Sequence, residues 1–143
     1  MRIHLDKIAS ITRNLNLGRW VTLSPEVEAR EGAVIAGRID SADWFQDGKA
    51  RWPSGYVLTV QPNGSWELDN SKFRTPIAKL AAGKVAFSLK TWHRLALAFR
   101  GSTIEASIDG ARVASLSDET HKKGMAGIGT GWNNAQFADF AVK

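Results

Sequence analysis

The sequence predicts an all-β domain built of two packed antiparallel sheets. Three observations lead to this prediction: from about residue 20 onward apolar and polar residues alternate in short runs, turn dipeptides separate the runs, and no helical periodicity persists beyond a turn or two. Because each alternating strand has one apolar face that must be covered, two sheets packed face to face are the simplest arrangement. With 143 residues, the chain has room for one such domain and almost none for a second core.

The first 18 residues form an N-terminal segment whose structure the pattern leaves open. Leu5, Ile8, Ile11 and Leu15 are spaced as in a short helix, whereas residues 8–12 would equally form a strand. We therefore divide the chain into this segment, 1–18, and one domain over 19–143. Apart from the hairpins described next, the domain is expected to contain strands at 20–30, 33–39, 73–80, 84–89, 124–130 and 135–142. The total is about ten to twelve strands.

The first clear hairpin pairs residues 56–61 with residues 65–69. Asn63-Gly64 lies between the two runs and is typical of a tight turn. Asn63 also begins a glycosylation sequon with Ser65, but the turn is sufficient to explain these residues.

The second hairpin begins a meander of three strands. Residues 93–100 alternate, turn at Gly101-Ser102 and return over 103–108, after which Asp109-Gly110 leads into residues 112–116. Asp109-Gly110 is a strong turn signal because both central positions of a type I′ turn require positive φ.

The composition and charge exclude several function classes. The chain has no cysteine, so disulfides, thiolate metal sites and cysteine nucleophiles are absent. The net charge of +5 comes from scattered residues, and because phosphate recognition needs clustered cations, nucleic acid is not an expected partner. No stretch approaches the roughly 20 apolar residues of a membrane span, and residues 1–7 lack the apolar region of a signal peptide. An exported protein would therefore carry its signal outside this chain.

The sequence contains no recognisable catalytic motif. No serine lies in a Gly-x-Ser-x-Gly elbow, and His4, His93 and His121 lack metal-ligand spacing. His93 belongs to an alternating run, which favours a histidine in the core or on a sheet face over a catalytic base. The glycines of 127–131 lead into another strand instead of a helix, so they indicate a strand approached closely by a bulky neighbour and not a phosphate loop.

The six tryptophans are the unusual feature of the composition. Trp66 and Trp92 lie in alternating strands and are expected in the core. Trp44, Trp52 and Trp132 lie in loops beside polar residues, where an indole can stack on the C–H face of a sugar while polar side chains bind its hydroxyls. These loops could instead simply cap the ends of the sandwich. The candidate carbohydrate-binding residues are Trp44, Arg51, Trp52, Tyr56, Trp132, Asn133 and Asn134.

A calcium site is a weaker candidate. Segment 40–48 contains Asp40 and Asp43, and calcium prefers carboxylate and carbonyl oxygens on loops. The spacing does not match an EF-hand loop, so a solvated loop is the favoured interpretation and no cofactor is required.

Several blocks of sequence resemble a known family. In chain order they are EGAVIAGR at 31–38, GYVL at 55–58, NGSW at 63–66, TWHRL at 91–95, IDG at 108–110, GMAGIGT at 124–130 and AQFADF at 135–140. Together they resemble the C-terminal lectin-like domain of galactocerebrosidases, glycoside hydrolase family 59, over about residues 20–143.

The resemblance implies a jelly-roll sandwich of the concanavalin A-like or laminin G-like type. In that family the domain is attached to a (β/α)₈ barrel that removes galactose from galactosylated lipids, and the barrel with its catalytic carboxylates has no counterpart here. The implied function is a non-catalytic carbohydrate-binding module whose partner is a glycan, with β-galactosides or plant-type glycans as the favoured classes. The alternative is a structural module that packs on a catalytic glycosidase domain or another protein and has no ligand of its own.

The resemblance also bears on calcium and on location. The family has an aspartate, resembling a calcium ligand, directly after Gln-Phe near the C-terminus, where this chain has Ala138 and places Asp139 one residue later. A shift of one residue in a strand turns a side chain to the opposite face, so Asp139 does not simply replace that ligand. A module belonging to such a glycosidase would be secreted or extracytoplasmic.

Overall fold

The computed structural model describes residues 3–4, 21–24, 26–27, 33–41, 54–71, 78–88, 91–130 and 136–142. Within these ranges the chain forms thirteen strands and no helix. The strands are β1 (Ile3–His4), β2 (Val21–Ser24), β3 (Glu26–Val27), β4 (Ala33–Ser41), β5 (Ser54–Val60), β6 (Ser65–Ser71), β7 (Ala78–Lys84), β8 (Thr91–Trp92), β9 (Leu95–Arg100), β10 (Thr103–Ile108), β11 (Ala111–Ser117), β12 (Met125–Thr130) and β13 (Gln136–Val142).

The strands form two large antiparallel sheets and one small ladder. The six-stranded sheet has the order β1-β13-β2-β9-β10-β11, the five-stranded sheet has the order β12-β4-β5-β6-β7, and β3 pairs with β8. This arrangement confirms the predicted two-sheet antiparallel sandwich. The ladders join distant parts of the chain, since β12 pairs with β4 and β13 pairs with both β1 and β2.

Both predicted hairpins are confirmed, but their turns differ. Asp109 and Gly110 have φ of 51° and 81°, as a type I′ turn requires. At the other hairpin Gly64 adopts the left-handed conformation, with φ of 81°, but Asn63 does not. The Gly64 N–H donates to the Gln61 carbonyl at 2.9 Å and the Gln61 N–H to the Ser65 carbonyl at 2.7 Å, so the loop comprises residues 62–64. A glycine ending a three-residue loop is the usual alternative to the two-residue turn.

Most predicted strands are present with shifted boundaries. The predicted strand 20–30 corresponds to β2 and β3, and the predicted strands 33–39, 124–130 and 135–142 correspond to β4, β12 and β13. The strand predicted at 84–89 is wrong over 85–88, because the chain leaves β7 at Lys84 and Val85 instead donates to the Gly64 carbonyl at 2.9 Å. The open alternatives for residues 8–12 lie outside the described residues.

The main core lies between the two large sheets. Leu58 and Leu68 project into it from the five-stranded sheet, and Leu95, Leu97 and Phe99 from the six-stranded sheet; each is at most 1% exposed. Trp66 is also buried, with 6% exposure, which confirms its predicted place in the core. The five-stranded sheet carries a second buried cluster, formed by Val34, Ala36, Ile39 and Val57.

Strand β4 changes its alternation at Arg38. Arg38 has φ of 51°, and the register between β4 and β5 shifts after Gly37, which are the marks of a β-bulge. Gly37 faces the core, where a Cβ atom would collide with the Phe99 ring, and the Arg38 guanidinium also lies over that ring. Ile39 is thereby moved to the second cluster. The bulge thus places a buried cation between the sheets.

Trp92 is not in the core, and its sequence-based prediction is wrong. Its exposure is 40%, whereas the next residue, His93, is buried as predicted, with 7% exposure. Because neighbouring residues in an extended chain face opposite sides, the core position of His93 directs Trp92 outward.

The glycine-rich segment 127–131 forms part of strand β12, as predicted, but of its described glycines, Gly127 and Gly129, only Gly127 meets a close neighbour. A Cβ atom on Gly127 would lie 3.1 Å from Ile39 Cδ1, whereas around Gly129 no described atom lies within 4 Å.

Candidate functional site

Six polar side chains join the two sheets at one end of the sandwich. We call them the Tyr56 cluster: Arg38, Tyr56, Asn70, Asp118, Thr120 and His121. The first three lie on adjacent strands β4, β5 and β6, and the others lie in segment 118–124, which connects β11 of one sheet to β12 of the other. The cluster therefore lies where the chain passes between the sheets.

Tyr56 is the centre of this cluster. Its hydroxyl donates to Asp118 Oδ1 at 2.6 Å and accepts the His121 backbone N–H at 3.2 Å. Its ring packs against Phe99 and, edge to face, against His121, with centroid distances of 5.7 and 5.2 Å. Tyr56 has 0% exposure, so it cannot act as the sugar-stacking platform predicted from the sequence. Tyr56 alternates with Leu58 and Val60 along β5, and its ring faces the core as theirs do.

Asn70 and Arg38 complete the network. Asn70 Nδ2 donates to Thr120 Oγ1 at 2.8 Å, and Asn70 Oδ1 accepts a hydrogen bond from His121 Nε2 at 3.0 Å. Arg38 donates to the His121 carbonyl at 3.1 Å and to the Gly101 carbonyl at 2.8 Å, with its guanidinium 4.7 Å from the Phe99 ring centroid. Arg38 thereby ties segment 118–124 and the β9–β10 turn to the five-stranded sheet.

The electrostatics of the cluster follow from burial and hydrogen bonding. Burial, supported by the hydrogen bond to Asp118, raises the pKa of Tyr56 to about 12. Burial alone would raise the pKa of Asp118, but hydrogen bonds from Tyr56, Thr120 and Asn70 together lower it. Burial lowers the pKa of Arg38 from its usual value. At neutral pH the cluster therefore contains an ionised carboxylate that accepts hydrogen bonds from a neutral phenol and neighbouring groups.

Sequence reasoning missed the other five members of the Tyr56 cluster. Tyr56 and Asp118 are 62 positions apart, and Arg38 and His121 are 83 apart. No local motif connects residues at such separations. The positive φ of Arg38 has no sequence signal either, because arginine is not a residue that favours this conformation.

The other predicted sugar-binding residues lie outside the described residues, but the strand ends that flank them are described. Segment 42–53, which contains Trp44, Arg51 and Trp52, runs between Ser41 and Ser54, which pair with each other at the end of the sheet that carries the Tyr56 cluster. Segment 131–135, with Trp132, Asn133 and Asn134, follows Thr130.

These two segments are attached at opposite ends of the five-stranded sheet. Thr130 pairs with Ala33, which pairs with Val60, whereas segment 42–53 is attached at Ser54. From Ser54 to Val60, strand β5 spans roughly 20 Å. The sequence grouped all these residues into one site, and their membership of a single site remains a prediction.

The calcium candidates are spread over both sheets. Asp40 lies in β4 of the five-stranded sheet, Asp139 lies in β13 of the six-stranded sheet, and Asp43 is outside the described residues. Asp139 is exposed and has φ of 53° where the pairing of β13 with β2 shifts. In the part of the chain that the structure describes, no three acidic or histidine side chains lie close enough to hold a metal ion. Calcium binding at Asp40, Asp43 or Asp139 stays a prediction.

Asp69 is a buried carboxylate next to the Tyr56 cluster residue Asn70. It is 6% exposed and pairs across the sheet with Val57 and Lys79. Burial raises the pKa of Asp69, the nearby Glu67 raises it further, and Lys79 lowers it. Alternation does not predict this burial, because Asp69 lies on the face of β6 opposite Leu68, which the pattern would assign to solvent.

We expect Asp69→Asn to stabilise the protein at pH 7. Because the pKa is raised in the folded state, the stability linked to Asp69 is fully present below its unfolded value of 3.8 and is lost as the pH rises through the folded value. The gain at pH 7 should be below about 1 kcal/mol, the range of a mild substitution. Urea unfolding at pH 7 and pH 3 measures it, and the difference should vanish at pH 3. Glu119→Gln, at an exposed side chain outside β6, is the control. A variant less stable than the wild type at pH 7 would contradict the assignment.

The chain matches one family model over most of its length. Residues 9–143 match the model described as galactocerebrosidase, C-terminal lectin domain. The match includes part of the N-terminal segment 1–18. No curated protein sequence matches the chain.

Known structures share the fold at low sequence identity. The carbohydrate-binding module CBM66 from Bacillus subtilis aligns with a TM-score of 0.67 and 15% identity, covering 92% of this chain and 75% of that one. Sheep galectin-11 in complex with glycerol aligns with a TM-score of 0.66 and 7% identity, covering 96% and 98% of the two chains. A double mutant of congerin II aligns with a TM-score of 0.66 and 8% identity, covering 94% and 98%. These similarities establish the sandwich fold, and the match over residues 9–143 shows that the chain belongs to the family of galactocerebrosidase C-terminal lectin domains.

Proposed function

We propose that this chain is a non-catalytic carbohydrate-binding module. The observation that carries the proposal is the match to a lectin-domain family over residues 9–143. The similarity of the fold to a bacterial carbohydrate-binding module and to galectin-11 supports it. In the described part of the chain, the Tyr56 cluster directs its hydrogen bonds inward, which suits a structural support better than a reacting group. No helix among the described residues is long and apolar enough to cross a membrane.

The ligand we propose is a glycan with a terminal β-galactoside. Trp44 and Trp52 would stack on sugar rings beside Arg51, and Trp132 would do so beside Asn133 and Asn134. The module would serve a catalytic glycosidase domain outside the cytoplasm, in the same polypeptide or in a partner.

A glycan-array screen, followed by tryptophan fluorescence titration of the hits with and without calcium, tests this function. Saturable binding of defined glycans supports the carbohydrate-binding module, and loss of binding on calcium removal would show that a metal takes part. Absence of binding across a broad array would instead favour a structural module that packs on a catalytic domain without its own ligand.

We expect Trp44→Ala and Trp132→Ala each to weaken glycan binding by about tenfold or more, because each removes an aromatic contact of roughly 1.4 kcal/mol. Unfolding midpoints should change little if these side chains are platforms. Arg112→Ala, at an exposed side chain on β11, serves as the control. A large loss of stability in either tryptophan variant would identify that residue as a packing residue and contradict its assignment.

A further inference from the structure

Trp92 is the large apolar side chain that the described residues leave exposed. It lies on β8, outside the loops to which the sequence assigned sugar binding. The residues on either side of it in the chain, Thr91 and His93, differ sharply: Thr91 is exposed, whereas His93 is buried. Among the described residues, Trp92 is therefore an exposed indole with an exposed polar residue, Thr91, before it in the chain.

The backbone that carries Trp92 is held from several directions. Trp92 pairs with Glu26 of β3. The adjacent His93 ring stacks on Phe87 with a centroid distance of 3.8 Å, and its two nitrogens lie 2.7 Å from Asp109 Oδ2 and from the Ser88 carbonyl. Because the backbone at Trp92 is already fixed by these contacts, little backbone freedom is lost when a ligand contacts the indole, and the entropic cost of binding is lower.

The position of Trp92 separates it from the Tyr56 cluster. Strand β9 runs from Leu95, close to Trp92, to Arg100, and the following Gly101 accepts a hydrogen bond from Arg38. Six residues of extended strand measure roughly 20 Å. Trp92 therefore lies at the opposite end of β9 from the Tyr56 cluster, beside the Asp109-Gly110 turn.

The surroundings of Trp92 indicate the class of ligand. Stable protein interfaces bury about 800 Å² on each partner around a continuous apolar centre, whereas Trp92 is flanked by exposed polar residues, Thr91 and Arg94. One indole face matches the area of one sugar ring, whose C–H groups pack on the π surface while polar side chains bind its hydroxyls.

We propose that Trp92 is a stacking platform for a neutral pyranose ring and forms a sugar-binding subsite in addition to the loop tryptophans. This proposal rests on the proposed carbohydrate-binding function and assigns it a contact on the described surface. Trp92 supplies the apolar face on which the ring stacks.

The test compares the wild type with Trp92→Ala and Trp92→Phe. The probes are methyl β-D-galactopyranoside, methyl β-D-glucopyranoside and the glycan-array hits. Their binding is measured by saturation-transfer NMR and by acrylamide quenching of tryptophan fluorescence. We expect Trp92→Ala to lose about tenfold in affinity, and Trp92→Phe to retain affinity within about threefold because it keeps an aromatic face. Bound sugar should also shield the Trp92 indole of the wild type from acrylamide. Circular dichroism should show that both variants remain folded under the binding conditions, because Trp92 lies outside both core clusters.

The outcomes separate this proposal from the function on which it rests. If the wild type binds a probe and Trp92→Ala binds it equally well, the Trp92 subsite is overturned and carbohydrate binding is retained at another site. If the wild type binds none of the probes, the carbohydrate-binding function is overturned together with the subsite.

Discussion

Replacing Phe99 by alanine should lower the free energy of unfolding by about 3–5 kcal/mol, the usual cost of deleting a buried aromatic side chain. Phe99 is 1% exposed and packs against the ring of Tyr56. It also occupies the space that Gly37 leaves open and lies beneath the Arg38 guanidinium. Truncation would therefore create a cavity between the sheets and remove a cation–π contact from a buried charge.

Urea unfolding followed by circular dichroism measures this effect. Phe99→Leu is the matched control, because it keeps most of the apolar volume but loses the aromatic face, and we expect it to cost clearly less than Phe99→Ala. A Phe99→Ala variant within about 1 kcal/mol of the wild type would show that the sheets do not pack around this ring as described.

Removing the Tyr56 hydroxyl is the second large effect expected. Tyr56→Phe should cost about 1–3 kcal/mol, because it leaves the Asp118 carboxylate and the His121 N–H without this partner. In a double-mutant cycle with Asp118→Asn, the two changes should be strongly non-additive, because both remove the same hydrogen bond. Additive effects would show that the two side chains do not interact in solution.

The stability difference between the wild type and Tyr56→Phe should change in a defined direction at low pH and at high pH. The lowered pKa of Asp118 means that its contribution is present above the unfolded value of 3.8 and is lost as the pH falls through the folded value. The raised pKa of Tyr56 means that its contribution is present below the unfolded value of 10.0 and is lost as the pH rises toward about 12. The stability difference between the wild type and Tyr56→Phe should therefore be largest between these limits.

The ionisation of Tyr56 can be measured directly, because Tyr56 is the one tyrosine in the sequence. Ultraviolet difference titration of the folded wild type should show tyrosinate forming near pH 12, and the urea-unfolded chain should titrate near the ordinary value of 10.0. If the folded protein also titrates near 10.0, the Tyr56 hydroxyl is not buried against Asp118. This measurement would also confirm that Tyr56 supports the fold and is not a sugar-binding platform.

The features that the sequence predicts correctly depend on neighbouring residues. The hairpins around Asn63-Gly64 and Asp109-Gly110 follow from turn chemistry and from alternation over a few positions. The burial of Trp66 follows in the same way. The apolar character of Trp92 predicts burial, but alternation puts His93 inside and Trp92 outside.

Local periodicity and blocks of residues in chain order predict the all-β class, the main hairpins and, through the resemblance to lectin-like domains, the family. They do not predict the Arg38 bulge, the Tyr56 cluster, the buried state of Asp69 or the exposure of Trp92, which the three-dimensional structure shows. Each of these depends on which distant strands meet, as Arg38 and His121 do across 83 positions. A pattern with a period of two specifies the two faces of a strand, but it does not specify what covers each face.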